Sequence, residues 1–462
     1  MDVSQTFMKA GELDPEVVYL SLRGENTYLL ESIEGSEKMA RYSFIGFNPA
    51  AKITVKDGHV DFKAFNGDFT GRPVGDDPLT AIKSLVEDHS QRGPSLARFG
   101  GGFVGYLGYD AIRYYVELED SPDVLNQPDA EFFLTRNNII FDHVKKETYF
   151  VENHFMPSHE IDVEESLREL ESIAFAISEA DLDENVSSNG FESNTTKHEY
   201  EESVRAVKKY VYDGDIFQAV ISQRLMTDYA GDKFNAYLRL KDINPSPYMY
   251  YLDFGDRKIV GSSPETLARV EGHVVSTYPI AGTRRRGRTG EDDRHMEEDM
   301  LADPKERAEH VMLVDLGRND VGKVSEYGSV NVTKFMEVER YSHVMHMSSE
   351  VTGKLRLDLS EYDALQSIFP AGTVSGAPKV RAMEIINELE PDRRGVYAGC
   401  VGYFSFNRTL DTAIAIRTVI FEKDRAYVQA GAGIVADSQP ELEYKETMNK
   451  GRALLKALGV EG

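Results

Sequence analysis

Short runs of alternating apolar and polar residues dominate the first third of the chain and predict β-strands. Turn-forming pairs such as Asp57-Gly58 separate these runs. A helix is predicted at residues 78–89. The predicted strands are residues 27–32, 42–47, 51–55 and 60–65.

Apolar residues at helical spacing over residues 160–180 predict an amphipathic helix. The next segment, 178–197, is polar and rich in turn-forming residues, which predicts a domain boundary or a flexible linker. Thr196 and Glu199 then match a capping box, so we expect a helix to begin at Lys197. The pattern divides the chain into an N-terminal domain at 1–155, a helix and polar linker at 156–196, and a second domain at 197–458.

Beyond residue 215, apolar strands and helices mix without a strict strand–helix repeat. Several predicted strands follow one another with short turns, which favours antiparallel sheets with helices packed outside. We therefore expect an α+β fold with large antiparallel β-sheets flanked by helices. The run TAIAIRTVIF places Arg417 inside one of these strands, as a carboxylate-binding residue or as an exposed ion-pair residue.

The chain carries 52 basic and 78 acidic residues among its 462, a net charge of −26. This excess of negative charge disfavours nucleic acid or an anionic membrane as a partner. The one cysteine, Cys400, excludes an intramolecular disulfide and indicates a reducing compartment. The N-terminal residues lack the pattern of a signal peptide, and no apolar stretch is long enough to span a bilayer. We therefore expect a soluble, cytoplasmic protein.

Two carboxylates lie three residues apart near the start of a helix predicted at 304–316. Asp303 is in position to cap this helix, and Pro304 suits its first turn. Glu306 and Glu309 then project from the same face. They form either a solvated acidic surface or part of a site for a hard cation such as Mg²⁺.

The C-terminal helix repeats this arrangement. Ser438 and Glu441 form a capping-box pattern, and Gly459 marks the end of the helix. Glu443 and Glu446 are again three residues apart on one face. Two helices that each offer such a pair predict an oxygen-rich Mg²⁺ site, whereas zinc is disfavoured because no His or Cys shares these faces.

Two glycine-rich segments accompany the carboxylate pairs. Residues 371–388 run from a loop into a helix, where backbone N–H groups and Lys379 could bind an anion. Residues 430–435 form a second predicted loop, and a plain turn would explain either segment. His346 lies on a predicted strand and is either a general base or a structural histidine.

Longer motifs, in the order found in one known enzyme family, run through nearly the whole chain. The strongest are GDIFQAVISQR, GSSPETLARV, PIAGTRRRG, KERAEHVMLVDLGRND, PAGTVSGAPKVRAMEII, LDTAIAIRT and QAGAGIVADSQPELEYKET. Together they resemble the chorismate-utilising enzymes, and most closely the members that form anthranilate. The resemblance implies stacked antiparallel sheets, a regulatory domain at 1–155 and a chorismate-binding catalytic domain at 197–458.

The same resemblance implies roles for individual residues. Glu265 would protonate the departing 4-hydroxyl of chorismate, and His346 would act in the later loss of pyruvate. The implied catalytic residues are His346, Glu265 and Thr373. The implied Mg²⁺ site consists of Glu309 and Glu446, with Glu306 and Glu443 beside them. The implied substrate-binding residues are Tyr397, Arg417, Gly431, Gly433, Gln218, Thr283 and Gly282.

Two positions separate members of this family by product. Isochorismate synthases carry a lysine where this chain has Gln218, and aminodeoxychorismate synthases commonly carry one where it has Ala281. Glutamine cannot act as a general base and alanine cannot act as a nucleophile, so the resemblance favours anthranilate over these two alternatives. A non-catalytic tryptophan-sensing partner protein is a third alternative, but it would have lost the carboxylates, which are present here.

The resemblance also implies two further binding partners. The chain has no glutamine amidotransferase module, and Cys400 lies outside any nucleophile motif, so a separate amidotransferase subunit would deliver ammonia. Two segments imply feedback inhibition by tryptophan. Without the resemblance, they would be interpreted as the end of a strand and a turn stiffened by proline. The implied tryptophan-binding residues are Glu31, Ser32, Asn244, Pro245, Tyr248 and Met249.

Overall fold

Two antiparallel β-sheets packed face to face form the centre of the structure. The computed structural model describes residues 3–33, 41–65, 69, 71–87, 96–156, 160–178, 182, 186–341 and 344–460. Within these residues, 12 strands form the first sheet and 11 form the second. This architecture confirms the predicted α+β class with large antiparallel sheets flanked by helices.

The first sheet combines strands from both ends of the chain. In hydrogen-bonding order, its strands are β1 (Ser4–Ala10), β9 (Glu147–His154), β8 (Asn137–Asp142), β3 (Tyr42–Phe47), β2 (Thr27–Glu31), β12 (Tyr248–Asp253), β13 (Arg257–Ser263), β22 (Thr418–Glu422), β23 (Arg425–Ile434), β11 (Gln218–Ala230) and β10 (Ser187–Ser193). The short strand β19 (Gly376–Ala377) also pairs with β11.

The second sheet is assembled in the same mixed way. In order, its strands are β16 (Ile280–Arg285), β18 (Val344–Lys354), β15 (Val274–Thr277), β14 (Thr266–Glu271), β21 (Leu410–Ile414), β20 (Cys400–Ser405), β6 (Gly102–Leu107), β7 (Ala130–Leu134), β4 (Ala51–Lys56) and β5 (His59–Ala64). Strand β17 (Asn331–Arg340) pairs with β18.

Helices cover the outer faces of both sheets. They are α1 (Pro15–Leu22), α2 (Pro78–Glu87), α3 (Val163–Ala176), α4 (Lys197–Asp213), α5 (Lys233–Ile243), α6 (Gly290–Ala302), α7 (Pro304–Val324), α8 (Glu361–Ile368), α9 (Lys379–Leu389) and α10 (Pro440–Ala457). In the described part of the chain, no helix is both long enough and apolar enough to cross a membrane.

An aromatic core holds the two sheets together. Phe44 of the first sheet packs edge-on against Tyr403 of the second, with 5.9 Å between ring centroids. Phe99 lies between them, 4.5 Å from Tyr403. All three rings are buried, and each contributes about 1.5–3 kcal/mol from removal of apolar surface from water.

Hydrogen bonds between strands cross the predicted domain boundary in both sheets. Strand β2 pairs with β12 in the first sheet, and β6 pairs with β20 in the second. Residues 179–181 and 183–185 of the predicted linker lie outside the described residues, whereas its later part forms β10, which pairs with β11. Each sheet therefore contains strands from before residue 155 and from after residue 196. The division of the chain at these residues stays a prediction about function.

The predicted strand at 42–47 is confirmed, and those at 27–32, 51–55 and 60–65 are confirmed to within one residue at either end. The capping box of Thr196 and Glu199 is also confirmed, and Gly214 ends the helix with φ +87°. Asp303 caps α7 by accepting from the N–H groups of Lys305 and Glu306. This helix continues two turns beyond the predicted end, because Val321 and Val324 extend its apolar face into the core.

Three local predictions about helix starts and glycine-rich segments are wrong. Gln439, not Ser438, is the N-cap of α10, because the Ser438 hydroxyl accepts from the N–H of Val435 instead. The segment 430–435 lies in strand β23 and its end rather than in a loop. Lys379 does not bind an anion at a helix start, since its ammonium group is buried against Asp320 at 2.6 Å.

Candidate active site

One cavity of about 620 Å³ opens between the helical layer and the ends of both sheets. The helices α7 and α10 form one side, and strands β11, β16, β18 and β23 contribute to the other. The cavity is lined by every residue that the sequence implied for catalysis, substrate or metal: Glu265, His346, Thr373, Gln218, Gly282, Thr283, Tyr397, Arg417, Gly431, Gly433, Glu306, Glu309, Glu443 and Glu446.

The two helices bring their glutamate pairs close enough to interact. Burial raises the pKa of Glu309, and the charges of Glu306 and Glu446 raise it further. Burial likewise raises the pKa of Glu443, with Glu446 adding to the shift. The pairs therefore share one end of the cavity, where their mutual repulsion favours either protonation or a bound cation.

Basic side chains neutralise only part of this cluster. Arg284 lies 3.1 Å from Glu306, and Lys450 lies 2.7 Å from Glu446. Among the described residues, Glu309 and Glu443 have no ion-pair partner. In the described ranges, no three His, Cys, Asp or Glu side chains are arranged so that they could hold a metal ion by themselves. The donor set fits a hard cation such as Mg²⁺, which takes a few carboxylates and completes its shell with water or substrate.

Glu265 lies where the chain leaves the first sheet after β13 and enters the second at β14. Its side chain is buried, and this burial raises the pKa of the carboxyl to about 8. The Thr373 hydroxyl, the N–H of Ile280 and the charge of Arg417 oppose the shift without cancelling it. At neutral pH, Glu265 is therefore a protonated acid that faces the cavity.

Arg417 lies where the chain passes from β21 of the second sheet to β22 of the first sheet. The single strand predicted for TAIAIRTVIF is wrong, because the backbone turns at Arg417 with φ +50° and the two halves join different sheets. The guanidinium group contacts the Asn244 amide oxygen at 3.5 Å and forms no ion pair within the described residues. It therefore presents an unpaired positive charge to an anionic ligand.

His346 of β18 is buried on the cavity wall. Burial lowers its pKa to about 4, and the charge of Arg417 lowers it further. Nδ1 lies 3.0 Å from the carbonyl oxygen of Gly282, so this nitrogen carries the proton. Nε2 is buried and has no hydrogen-bond partner among the described residues. The ring is therefore neutral and keeps a free lone pair for a proton.

Glycines on β23 leave room beside two polar side chains. A Cβ atom at Gly431 would lie 2.8 Å from the hydroxyl of Tyr397, whose pKa burial raises to about 12. A Cβ atom at Gly433 would lie 2.4 Å from the amide nitrogen of Gln218. Both glycines therefore leave the space that the Tyr397 hydroxyl and the Gln218 amide occupy on this wall.

A second, smaller cavity of about 50 Å³ lies between the two sheets. Four of the residues implied for tryptophan line it: Glu31, Ser32, Tyr248 and Met249. Asn244 and Pro245 do not line it, and the Asn244 side chain contacts Arg417 instead.

The sequence analysis missed Lys450 as a residue of the larger cavity. Its ammonium group lies 2.7 Å from Glu446 and donates to the carbonyl of Gly431 at 2.9 Å. It therefore connects the carboxylate cluster to the glycine wall. The signal was present in the sequence, because Lys450 follows Glu446 by four residues in one helix and must share its face.

A protonated carboxyl group, a neutral histidine, an unpaired arginine and clustered carboxylates around one cavity define an enzyme that performs acid–base chemistry on an anionic substrate. The chain belongs to the chorismate binding enzyme family, whose family model matches residues 25–456.

Relatives and a solved structure resemble the chain over nearly its whole length. Anthranilate synthase component 1 of Acetivibrio thermocellus is 48% identical, with 94% of this chain and 90% of that protein covered. The protein of the same name from Aquifex aeolicus is 46% identical, with 96% and 92% covered. The crystal structure of anthranilate synthase component I from Streptococcus pneumoniae superposes with a TM-score of 0.81 at 41% identity, covering 96% of this chain and 97% of that one.

Proposed function

We propose that this protein is the large subunit of an anthranilate synthase, which converts chorismate and ammonia into anthranilate and pyruvate in tryptophan biosynthesis. The observation that carries the proposal is the pairing of a protonated Glu265 with a neutral His346 in one cavity. The relatives named above, all called anthranilate synthase component 1 or I, support the same reaction.

Arg417 and Tyr397 bind the enolpyruvyl carboxylate of chorismate. The guanidinium group supplies an unpaired charge, and the Tyr397 hydroxyl supplies a donor beside the open backbone of Gly431. A charge-assisted pair of this kind fixes the orientation of the substrate. Gly433, Gln218, Gly282 and Thr283 complete the substrate-binding wall.

The reaction proceeds in two steps. Ammonia adds at ring carbon 2 while Glu265 gives its proton to the departing 4-hydroxyl, which leaves as water. Nε2 of His346 then removes the proton at carbon 2, and the bond between ring carbon 3 and the enolpyruvyl oxygen breaks. The released enolpyruvate takes up a proton from water and becomes pyruvate. Thr373 lines the cavity beside Glu265 and is the third proposed catalytic residue. The aromaticity of anthranilate drives the second step.

Mg²⁺ is the proposed cofactor, held by Glu309 and Glu446 with Glu306 and Glu443 beside them. When bound, it supplies positive charge to the ring carboxylate of chorismate. The raised pKa values of Glu309 and Glu443 support this assignment. Burial is their largest cause and repulsion by neighbouring glutamates adds to it, so a cation would stabilise the charged forms.

Other products of the family fit the cavity less well. A water-activating or covalent lysine at position 218 or 281 is missing, and Gln218 and Ala281 occupy these places on the wall. A non-catalytic sensing role does not explain why the acid, the histidine and the carboxylates converge on one large cavity.

Two further features belong to the proposal. A separate glutamine amidotransferase subunit delivers the ammonia in a reducing compartment such as the cytoplasm. Tryptophan binds at the smaller cavity, whose volume of about 50 Å³ must increase to accept it. Asn244 is one of the residues implied for tryptophan binding, and its side chain contacts Arg417 of the substrate site. This contact supports a link between tryptophan binding and the substrate site.

The test is to incubate the purified chain with chorismate, an ammonium salt and Mg²⁺ and to follow anthranilate fluorescence and pyruvate release. Equal amounts of both products, lost on addition of EDTA, are expected. Isochorismate or aminodeoxychorismate as the product would contradict the assignment, and so would unchanged chorismate in a folded sample that contains the amidotransferase subunit and glutamine.

A further inference from the structure

Arg394 and Glu390 form a buried ion pair directly behind the wall of the larger cavity. Their side chains face each other in a two-bond fork, with Nε donating to Oε2 at 2.9 Å and Nη2 to Oε1 at 2.7 Å. Arg394 is only 2% exposed and Glu390 9%. A buried ion pair is often no more stabilising than apolar residues of similar volume. The contacts of this pair therefore indicate a role other than stability.

Two further hydrogen bonds of Arg394 reach residues of the cavity wall. Nη1 donates to the carbonyl of Val374 at 2.7 Å, and Nη2 donates to the carbonyl of Val220 at 2.6 Å. Both valines line the cavity, one from the turn at Gly372–Val374 and the other from β11. One guanidinium group therefore joins two separate parts of the wall from behind.

Glu390 extends the same connection to the glycine strand. Its Oε1 accepts from the N–H of Ser222 at 2.7 Å and from the Ser222 hydroxyl at 2.8 Å. The Ser222 hydroxyl oxygen accepts in turn from the Gln429 amide at 2.8 Å, and Gln429 lines the cavity. Ser222 also lies opposite Gly431 in the pairing of β11 with β23.

The guanidinium group also lies against Tyr397. Its central carbon is 5.6 Å from the ring centroid of Tyr397 and 4.6 Å from that of Tyr109, so it contacts both rings. A positive charge at this position makes the phenol a stronger hydrogen-bond donor. The Tyr397 hydroxyl lies where a Cβ atom at Gly431 would come within 2.8 Å.

We propose that Arg394, held by Glu390, is a positioning residue that fixes the Tyr397 hydroxyl and the Gly431 wall for the substrate carboxylate. Neither member of the pair lines the cavity, so both act through Tyr397, Val220, Val374 and Ser222. The inference rests on the proposed function, because it takes the carboxylate to be that of chorismate.

The test compares Arg394→Lys with Arg257→Lys in steady-state kinetics. Arg257 is a matched control, because it makes a similar ion pair with Glu131 at 2.6 Å and lies away from the cavity. Lysine lacks the fork geometry that serves four acceptors at once. Arg394→Lys should raise the KM for chorismate about tenfold and lower kcat less than about threefold, whereas Arg257→Lys should affect thermal stability alone.

A double variant separates positioning from general damage. If Arg394 acts through Tyr397, then Arg394→Lys should add less than about twofold to the KM of Tyr397→Phe, because the hydroxyl it positions is already missing. Glu390→Gln keeps the side-chain volume and should raise KM in the same direction, which preserves the test if Arg394→Lys does not fold.

Independent, multiplicative effects on KM would overturn the proposal, and so would an unchanged KM in both Arg394→Lys and Glu390→Gln. Failure of the proposed function is a different outcome, because the unaltered chain would then form no anthranilate at all.

Discussion

The N–H of Ser262 donates a 3.1 Å hydrogen bond to the carbonyl of Arg417, and this bond joins two of the places where the chain passes between the sheets. A second bond, from the N–H of Ile414 to the carbonyl of Glu265 at 3.0 Å, completes the connection. Glu265 and Arg417 are therefore fixed side by side at the cavity by backbone pairing, although they lie far apart in sequence.

Replacement of His346 by alanine should block the second step and leave the first. Anthranilate formation should fall by about 10²–10⁴, the usual contribution of a positioned general base, because Nε2 of His346 is the proposed base. Chromatography should show that chorismate is still consumed while an amino intermediate accumulates and pyruvate release stops.

His310 provides the control for this variant. It is also buried, its pKa is likewise lowered to about 4 by burial, and its Nε2 lies 2.6 Å from the Ser349 hydroxyl outside the cavity. His310→Gln should reduce stability without accumulation of the intermediate. Loss of both steps together in His346→Ala would contradict the assigned role.

Activity should fall as pH rises through about 8. The pKa of Glu265 is raised to about 8, so its catalytic acid form is present below that pH and lost above it. His346, with a pKa lowered to about 4, stays neutral across the same range. The measurement is kcat between pH 5 and 10 at saturating free ammonia, since the ammonia fraction also changes with pH.

Glu265→Gln tests the origin of that alkaline limb. The variant should lose about 10²–10⁴ in kcat, and its remaining activity should no longer fall above pH 8, because the titrating group is gone. An alkaline limb that persists in Glu265→Gln would assign the titration to another group.

Removal of one proposed metal ligand should weaken the Mg²⁺ response. Glu309→Gln is expected to raise the Mg²⁺ concentration for half-maximal activity by at least about tenfold, because an amide brings no charge to the cation. Titration of activity with Mg²⁺ after treatment with a chelator measures the change. Glu326→Gln is the control, since Glu326 pairs with Lys354 away from the cavity. Equal Mg²⁺ curves for Glu309→Gln and the unaltered chain would exclude Glu309 as a ligand.

A methyl group at Gly433 should close part of the substrate wall. The new Cβ atom would lie 2.4 Å from the amide nitrogen of Gln218, so Gln218 must move into the cavity. Gly433→Ala is expected to raise the KM for chorismate by about tenfold or more. Gly11→Ala is the control, because no atom lies within 4 Å of a Cβ atom there. An unchanged KM in Gly433→Ala would mean that this wall does not contact substrate.

Tryptophan inhibition should depend on Ser32, which lines only the smaller cavity. Ser32→Ala removes a hydroxyl that donates to the Pro247 carbonyl at 2.6 Å and faces the proposed site. The tryptophan concentration for half-inhibition should rise about tenfold, with kcat and KM unchanged in its absence. Ser21→Ala is the control, because Ser21 is a half-buried residue of α1 that lines neither cavity. Equal inhibition of Ser32→Ala and the unaltered chain would place the tryptophan site elsewhere.

Sequence alone determined the local elements and much of the site's membership. Helical spacing put Glu306 with Glu309 and Glu443 with Glu446, and the family resemblance named the other cavity residues. The structure places these residues around one cavity, and their individual roles stay predictions. Sequence could indicate them because a periodic pattern and a contiguous motif are both local properties of the chain.

Only the tertiary structure decided how these local pieces meet. The break at Arg417 with φ +50° sends one apolar run into two sheets, and no periodicity signals it. The pairing of Arg394 with Glu390 is local, but its contacts with Val220 and Tyr397 exist only after the sheets have assembled. The raised pKa of Glu265 is tertiary for the same reason, because burial is a property of the folded molecule and not of the residue.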